Sequence, residues 1–204
     1  QVAVYDCQNI IAGQHKSYIR NGQLHKNEGG RVAWYDITTG EYVTSVAIGQ
    51  EGTHMARLAY DSDRDVVLVG VSGGPKMLQI DNKTKAIMQD QPYVTMSGGS
   101  NYFIKYDSYN HQLVGLSVGN PTSSISYYKY DETQNSYVKT GSITIKNYGV
   151  KWDPQNFNVD GQVIYFANSW PANGGNSGFA VVVYDMLTVK LLENHPLASN
   201  VTCG

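Results

Sequence analysis

Apolar and polar positions alternate along most of this chain in short runs, and turn-forming residues interrupt the runs at regular intervals. The clearest case is Val32-Ala-Trp-Tyr-Asp-Ile-Thr-Thr-Gly-Glu-Tyr-Val-Thr-Ser-Val46. Val32 to Tyr35 favour a strand, Asp36 to Gly40 carry turn chemistry, and Tyr42 to Val46 resume the strand, so the stretch predicts a β-hairpin. The same grammar returns at Met77-Leu-Gln-Ile-Asp81, Tyr127-Tyr-Lys-Tyr-Asp131 and Val181-Val-Val-Tyr-Asp185, each followed by polar turn residues. A second pattern precedes each hairpin: a short strand ending in an aromatic and Asp, a polar turn, then an apolar strand. It reads Val2-Ala-Val-Tyr-Asp6 before Ile10, Arg57-Leu-Ala-Tyr-Asp61 before Val66, Tyr102 to Asp107 before Leu113, and Val150-Lys-Trp-Asp153 before Val163. No stretch shows the 3.6-residue period of an amphipathic helix.

Each unit is therefore four antiparallel strands, A to D, and the units recur at about 1–48, 54–93, 100–146 and 148–196. The first two strands are the more apolar. The fourth is the more polar, as in Ala86-Ile-Met-Gln-Asp-Gln91, which suits an outer edge. The eight recurrent aspartates have a structural explanation, because a short carboxylate before a turn accepts hydrogen bonds from the turn amides.

This grammar resembles the β-propeller class in general, over essentially the full length of 204 residues, which then form one domain. The resemblance implies an all-β fold: a β-propeller of four four-stranded antiparallel blades. It carries no WD40 or kelch signature. Hemopexin-like domains resemble it in architecture only; in them a disulfide ties the first blade to the last. The four blades close through such a bond, through further blades, or through a second copy in an eight-bladed homodimer.

Composition narrows the function classes. Charged residues are 16% of the chain, against roughly 25% in soluble domains, and the formal net charge is -2 without basic clusters. That excludes a phosphate-binding footprint, so no nucleic-acid partner is expected. No run approaches the roughly 18 apolar residues of a membrane span. Cys7 and Cys203 near opposite ends read either as unrelated thiols or as a disulfide, the latter implying an oxidising compartment. The sequons at Asn82 and Asn200 agree with a secreted glycoprotein, Asn82 falling on an expected exposed turn. The chain begins at Gln1 rather than Met, as a processed product or an excised piece would.

Candidate chemistry lies in the loops that depart from the repeat. The B–C loop from Gln14 to Gly30 carries His15, Lys16, Tyr18, Arg20, His25 and Glu28. The loop from Asn168 to Gly178 sets Trp170 beside Asn173 and Asn176. An aromatic face packs on the C–H groups of a sugar while side-chain amides bond its hydroxyls. His54, near Glu51, stands with Asn101 and Tyr148 just before the A strands. Asp61-Ser-Asp-Arg-Asp65 begins like a calcium loop, but Val66 and Ser72 replace the required glycine and glutamate, leaving a charged turn. Phosphate loops, nucleophile elbows and zinc motifs do not occur, and neither metal nor cofactor is expected.

The first reading is a secreted, non-catalytic recognition module. It binds carbohydrate or an extracellular protein through Trp170, Asn173, Asn176, Tyr18, Arg20 and His54. The alternatives are a propeller hydrolase or lyase acting on glycans, with acids and His54 or His25 around the channel, and a structural or assembly protein.

Overall fold

The structure is a computed structural model that describes residues 3–14, 18–20, 23–25, 30–49, 58–70, 75–97, 103–117, 122–146, 156–160, 163–171, 177–185 and 191–197. Side chains are described within 4–14, 30–48, 58–70, 75–97, 103–117 and 124–144, and at Gln23. Every described element is a β-strand or a turn.

The first repeat is a four-stranded antiparallel sheet in the order β1 (Ala3–Tyr5), β2 (Asn9–Gln14), β5 (Gly30–Asp36), β6 (Tyr42–Gly49). Between β2 and β5, β3 (Tyr18–Arg20) and β4 (Gln23–His25) pair as a separate ribbon. The expected polar loop is thus partly a hairpin.

The second and third repeats share one nine-stranded sheet rather than two separate blades. The second contributes β7 (Leu58–Asp61), β8 (Val66–Gly70), β9 (Lys76–Asp81), β10 (Ala86–Ile87) and β11 (Tyr93–Met96). The third contributes β12 (Phe103–Asp107), β13 (Gln112–Ser117), β14 (Thr122–Asp131) and β15 (Ser136–Lys146). The outer strand expected over 86–91 is broken into β10 and β11, both paired with β9. Pro92 lies in the break; it has no N–H to add to a ladder, but its carbonyl accepts from Gln79 N at 2.8 Å. Gln79 O accepts from Met88 N at 3.1 Å, so one residue of β9 bridges the interruption. The displaced β11 then reaches β15 in parallel, with Thr95 opposite Ser136 and Met96 opposite Tyr137.

The fourth repeat is β16 (Asn156–Asp160), β17 (Val163–Pro171), β18 (Ser177–Asp185) and β19 (Leu191–Leu197), again antiparallel in sequence order. The expected first strand, Val150–Asp153, lies outside the described residues. Asp160, opposite Val163, takes the place assigned to Asp153. Asp160-Gly161 is the stronger hairpin signal, because glycine enters the left-handed conformations a two-residue turn requires.

The first strands lie side by side, β7 beside β1 and β12, and β12 beside β16. Sheets pack face to face. Val4, Ile11, Val32 and Trp34 of the first repeat meet Leu58, Val67, Val69, Leu78 and Ile80 of the second. Ala59, Val66, Leu68 and Met77 of the second meet Ile104, Leu113, Tyr128 and Tyr137 of the third. Strand alternation gives each sheet two apolar faces, and burying them against neighbours is the main stabilising term.

Five turns share one backbone rule: the fourth residue after the turn aspartate has positive φ. These are Gly40 (72°), Asp65 (53°), Lys85 (55°), His111 (52°) and Asn135 (44°). Only Gly40 is free of the Cβ penalty of that region, and a Cβ there would meet nothing within 4 Å. Gly40→Ala should therefore cost about 1 kcal/mol through backbone strain alone. Urea denaturation checks this, and an unchanged midpoint would refute it.

Candidate functional site

The two ends of the sheets are built differently. At one end lie the A–B and C–D turns. At the other lie the connections that leave each second strand or precede each first strand, and there the expected contact residues belong. Tyr18 and Arg20 fall on β3, opposite His25 and Gln23. Trp170 falls on β17, opposite Gly178, so the strands extend well into the expected Asn168–Gly178 loop and leave only 172–176 between them. Asn173, Asn176 and His54 lie outside the described residues, as do Cys203 and Asn200.

At the turn end, the aspartates do what their spacing predicts. Asp6 Oδ1 accepts from the amides of Gln8 (2.7 Å) and Asn9 (2.5 Å), and Asp36 Oδ1 from Thr38 (2.8 Å) and Thr39 (2.7 Å). Asp61, Asp81, Asp107 and Asp131 repeat the pattern. The Thr39 and Thr38 amides hold the Asp36 carboxyl below its ordinary range, and the amide and hydroxyl of Thr84 do the same for Asp81. At Asp6 burial pushes upward, but the Asn82 amide and the Gln8 and Asn9 bonds outweigh it.

Polar junctions join the repeats at this end. In the first, Asn82 uses both ends of its carboxamide. Oδ1 accepts from Trp34 Nε1 at 2.8 Å and from Lys85 Nζ at 2.9 Å. Nδ2 donates to Asp6 Oδ2 at 2.9 Å and Asp65 Oδ1 at 2.8 Å. Asn82 is 6% exposed, so the exposed turn position expected of it is corrected. Its amide is a structural cross-link between two repeats. Tyr60 donates to the same Asp65 at 2.8 Å, and burial, that bond and nearby acid charge raise its hydroxyl well above an ordinary phenol. Desolvation lowers Lys85, against the pull of Asp6, Asp65 and Asp81.

In the second junction, Tyr137 of β15 donates its hydroxyl to Asp61 Oδ2 across 76 residues of sequence. Arg64 donates to the Tyr137 hydroxyl at 3.1 Å and to Gln79 Oε1 at 2.6 Å, and its guanidinium lies 3.5 Å from the centroid of Tyr130. Burial, then the Asp61 charge, pushes Tyr137 far up, so it remains a donor. Asp63 accepts from Tyr106 at 2.8 Å and faces His111 Nδ1 at 2.8 Å. Asp61, Asp63 and Asp65 thus turn to different sets of partners instead of converging on one centre. Cys7 is exposed in the first A–B turn.

No family model and no curated protein matches the sequence. Solved structures do match in shape. Hydrazine synthase of Kuenenia stuttgartiensis aligns at TM-score 0.51 and 17% identity, covering 84% of this chain and 45% of that one. The Pan2 WD40 domain of Neurospora crassa aligns at 0.51 and 10%, covering 96% and 65%. The Cps50 (Swd1) β-propeller domain of Myceliophteria thermophila aligns at 0.51 and 9%, covering 93% and 56%. The fold is of the β-propeller type. This propeller chain spans about half the length of the structures it matches.

Sequence reasoning recognised the turn aspartates but missed Trp34, Asn82, Arg64 and Tyr137. Their common signal is a polar-capable group set in an otherwise apolar strand or beside a turn aspartate. Such a group needs a buried partner, but the sequence does not name it.

Proposed function

We propose that this propeller is a recognition module whose connection end holds carbohydrate. The observation that carries the reading is the contrast between the two ends. At the turn end, the turn aspartates are committed to turn amides, and Asp6 and Asp61 also to neighbouring repeats. At the other end, the repeat pattern is broken by the β3–β4 ribbon with Tyr18 and Arg20, and by the long β17–β18 pair with Trp170. Rigid scaffold at one end and variable insertions at the other is how loops carry binding. The Trp170 ring supplies the stacking face; Asn173 and Asn176 follow it closely in the chain and supply donors and acceptors together. In this reading the module is four-bladed and secreted, with a Cys7–Cys203 disulfide, hemopexin-like in architecture.

A glycan array of non-reduced protein tests it. Selective binding is expected, weakened roughly tenfold or more by Trp170→Ala, and further when Tyr18→Ala is added. Silence toward all glycans, or glycan binding indifferent to both changes, overturns it, and a pull-down for a protein ligand then takes over.

A further inference from the structure

Charges are scattered along the sequence, and the strand topology sorts them to opposite ends of the sheets. The described turns 6–9, 36–41, 61–65, 81–85, 107–111 and 131–135 carry ten acids against three cations, Arg64, Lys83 and Lys85. Two of those cations already face carboxylates: Arg64 lies 3.9 Å from Asp61, and Lys85 lies 3.8 Å from Asp6. At the connection end the sign reverses. Among the described residues, the strand termini there hold four cations and no acid: Arg20 on β3, Arg31 near the start of β5, Lys76 at the start of β9 and Lys146 at the end of β15. In sequence, the connecting stretches 14–31, 49–58, 70–76, 96–103, 117–122, 146–156 and 171–177 carry eight cations against three acids. The net charge of -2 conceals this division.

The two fields stay separate. Lys76 and Asp81 stand at the two ends of one strand, which at the rise of a β-strand sets them about 17 Å apart. Physiological salt screens exposed charges over about 8 Å. The turn acids therefore do not cancel the cations at the other end. Lys76 is exposed, its Nζ stands 3.6 Å from the centroid of the Tyr93 ring, and among the described residues no carboxylate pairs with it. Arg31 donates from Nε and Nη2 to the neutral Ser45 hydroxyl at 3.0 and 2.8 Å.

We propose that the ligand of the connection end is an acidic polysaccharide, whose sugar rings carry carboxylate or sulfate groups. This rests on the carbohydrate reading above and adds to it the sign of the ligand's charge. A neutral glycan would give Lys76 nothing to pair with. An acidic one adds a charge-assisted bond at each cation it reaches, and the acidic turn end repels it toward the site. The four cations come from three different repeats, so they are dispersed rather than lined up. That spacing suits anions set one to a sugar ring better than the one charge per roughly 1.7 Å of a nucleic-acid duplex.

Binding to dextran, dextran sulfate, polygalacturonate and duplex DNA tests the proposal, the second and third polymers separating sulfate from carboxylate. At least one acidic polysaccharide should bind roughly tenfold or more tighter than both dextran and DNA, with affinity that falls as salt rises. Lys76→Gln with Lys146→Gln should weaken it roughly tenfold. Lys83→Gln with Lys129→Gln, an equal loss of charge at exposed positions near the turn end, should leave it intact. Dextran or DNA bound as tightly as the acidic polysaccharides, or indifference to the Lys76 pair, overturns the proposal. Should that pair not fold, binding of the unmodified protein decides: affinity independent of salt overturns it, and a steep fall upholds it. Glycan binding that needs Trp170 but shows no preference for acid leaves the carbohydrate reading standing and removes the charge inference. Acidic-polysaccharide binding that needs Lys76 and Lys146 but not Trp170 upholds the charge inference and removes the stacking reading. Silence toward every glycan removes both.

Discussion

Arg64→Ala is expected to destabilise the protein by about 3 kcal/mol, the figure for leaving a buried charge without its partner. Arg64 is tied to the second repeat through Gln79 and to the third through Tyr130 and Tyr137. Its guanidinium also stands 3.9 Å from Asp61, whose side chain is 1% exposed. Alanine would leave the Asp61 carboxylate with the Tyr137 hydroxyl and turn amides but no opposite charge, and would empty the slot over the Tyr130 ring. Arg64→Lys keeps the charge and loses the planar fork, so it should fall between wild type and alanine. Tyr137→Phe removes the hydroxyl that donates to Asp61 and accepts from Arg64, and should cost about 2 kcal/mol. Urea denaturation of the three variants gives the order. A loss below about 1 kcal/mol for Arg64→Ala would mean that Asp61 does not depend on Arg64.

The second large effect is at Asn82. Asn82→Ala removes the acceptor of Trp34 Nε1, and the Trp34 side chain is fully buried. An orphaned buried donor, together with the lost bonds to Asp6 and Asp65, should cost about 2 to 3 kcal/mol. Asn82→Asp is nearly the same size, yet it should cost more at neutral pH, because it sets a carboxylate oxygen where two N–H groups now face Asp6 and Asp65. The excess over alanine should shrink as pH falls, since protonation removes the added charge and restores one donor. Thermal or urea melts of both variants across acidic to neutral pH read this directly. If the two variants differ equally at all pH values, the carboxamide is not placed between two ionised acids.

Both effects sit at junctions between repeats, and the repeats themselves were the legible part of the chain. Strand alternation, the turn aspartates and the repeat were all readable because each depends on residues a few positions apart. The period-two pattern puts Val32 and Trp34 on one face whatever the neighbours are. Asp36 meets the amides of Thr38 and Thr39 within its own turn. The misreadings came where two local signals competed. Val150–Asp153 lies outside the described residues, and the strand that pairs with β17 is Asn156–Asp160, ahead of Gly161. The run 86–91 looked like an outer strand, but Pro92 and the bonds of Gln79 moved its second half to Tyr93–Met96.

The candidate contact residues were legible only as departures from the repeat. Tyr18, Arg20 and Trp170 proved to lie on paired strands rather than in open loop.

The sequence by itself determined the strand-and-turn grammar, the all-β class and the carboxylates that shape the turns. Only the tertiary structure decided that Trp34 meets Asn82 across 48 residues and that Asp61 meets Tyr137 across 76. It also decided that the second and third repeats share an edge through β11 and β15. The reason is range. Backbone conformation and turn hydrogen bonds are local, and a short window of residues specifies them. Which apolar row covers which, and which buried polar group finds a partner, is settled only when whole sheets come together.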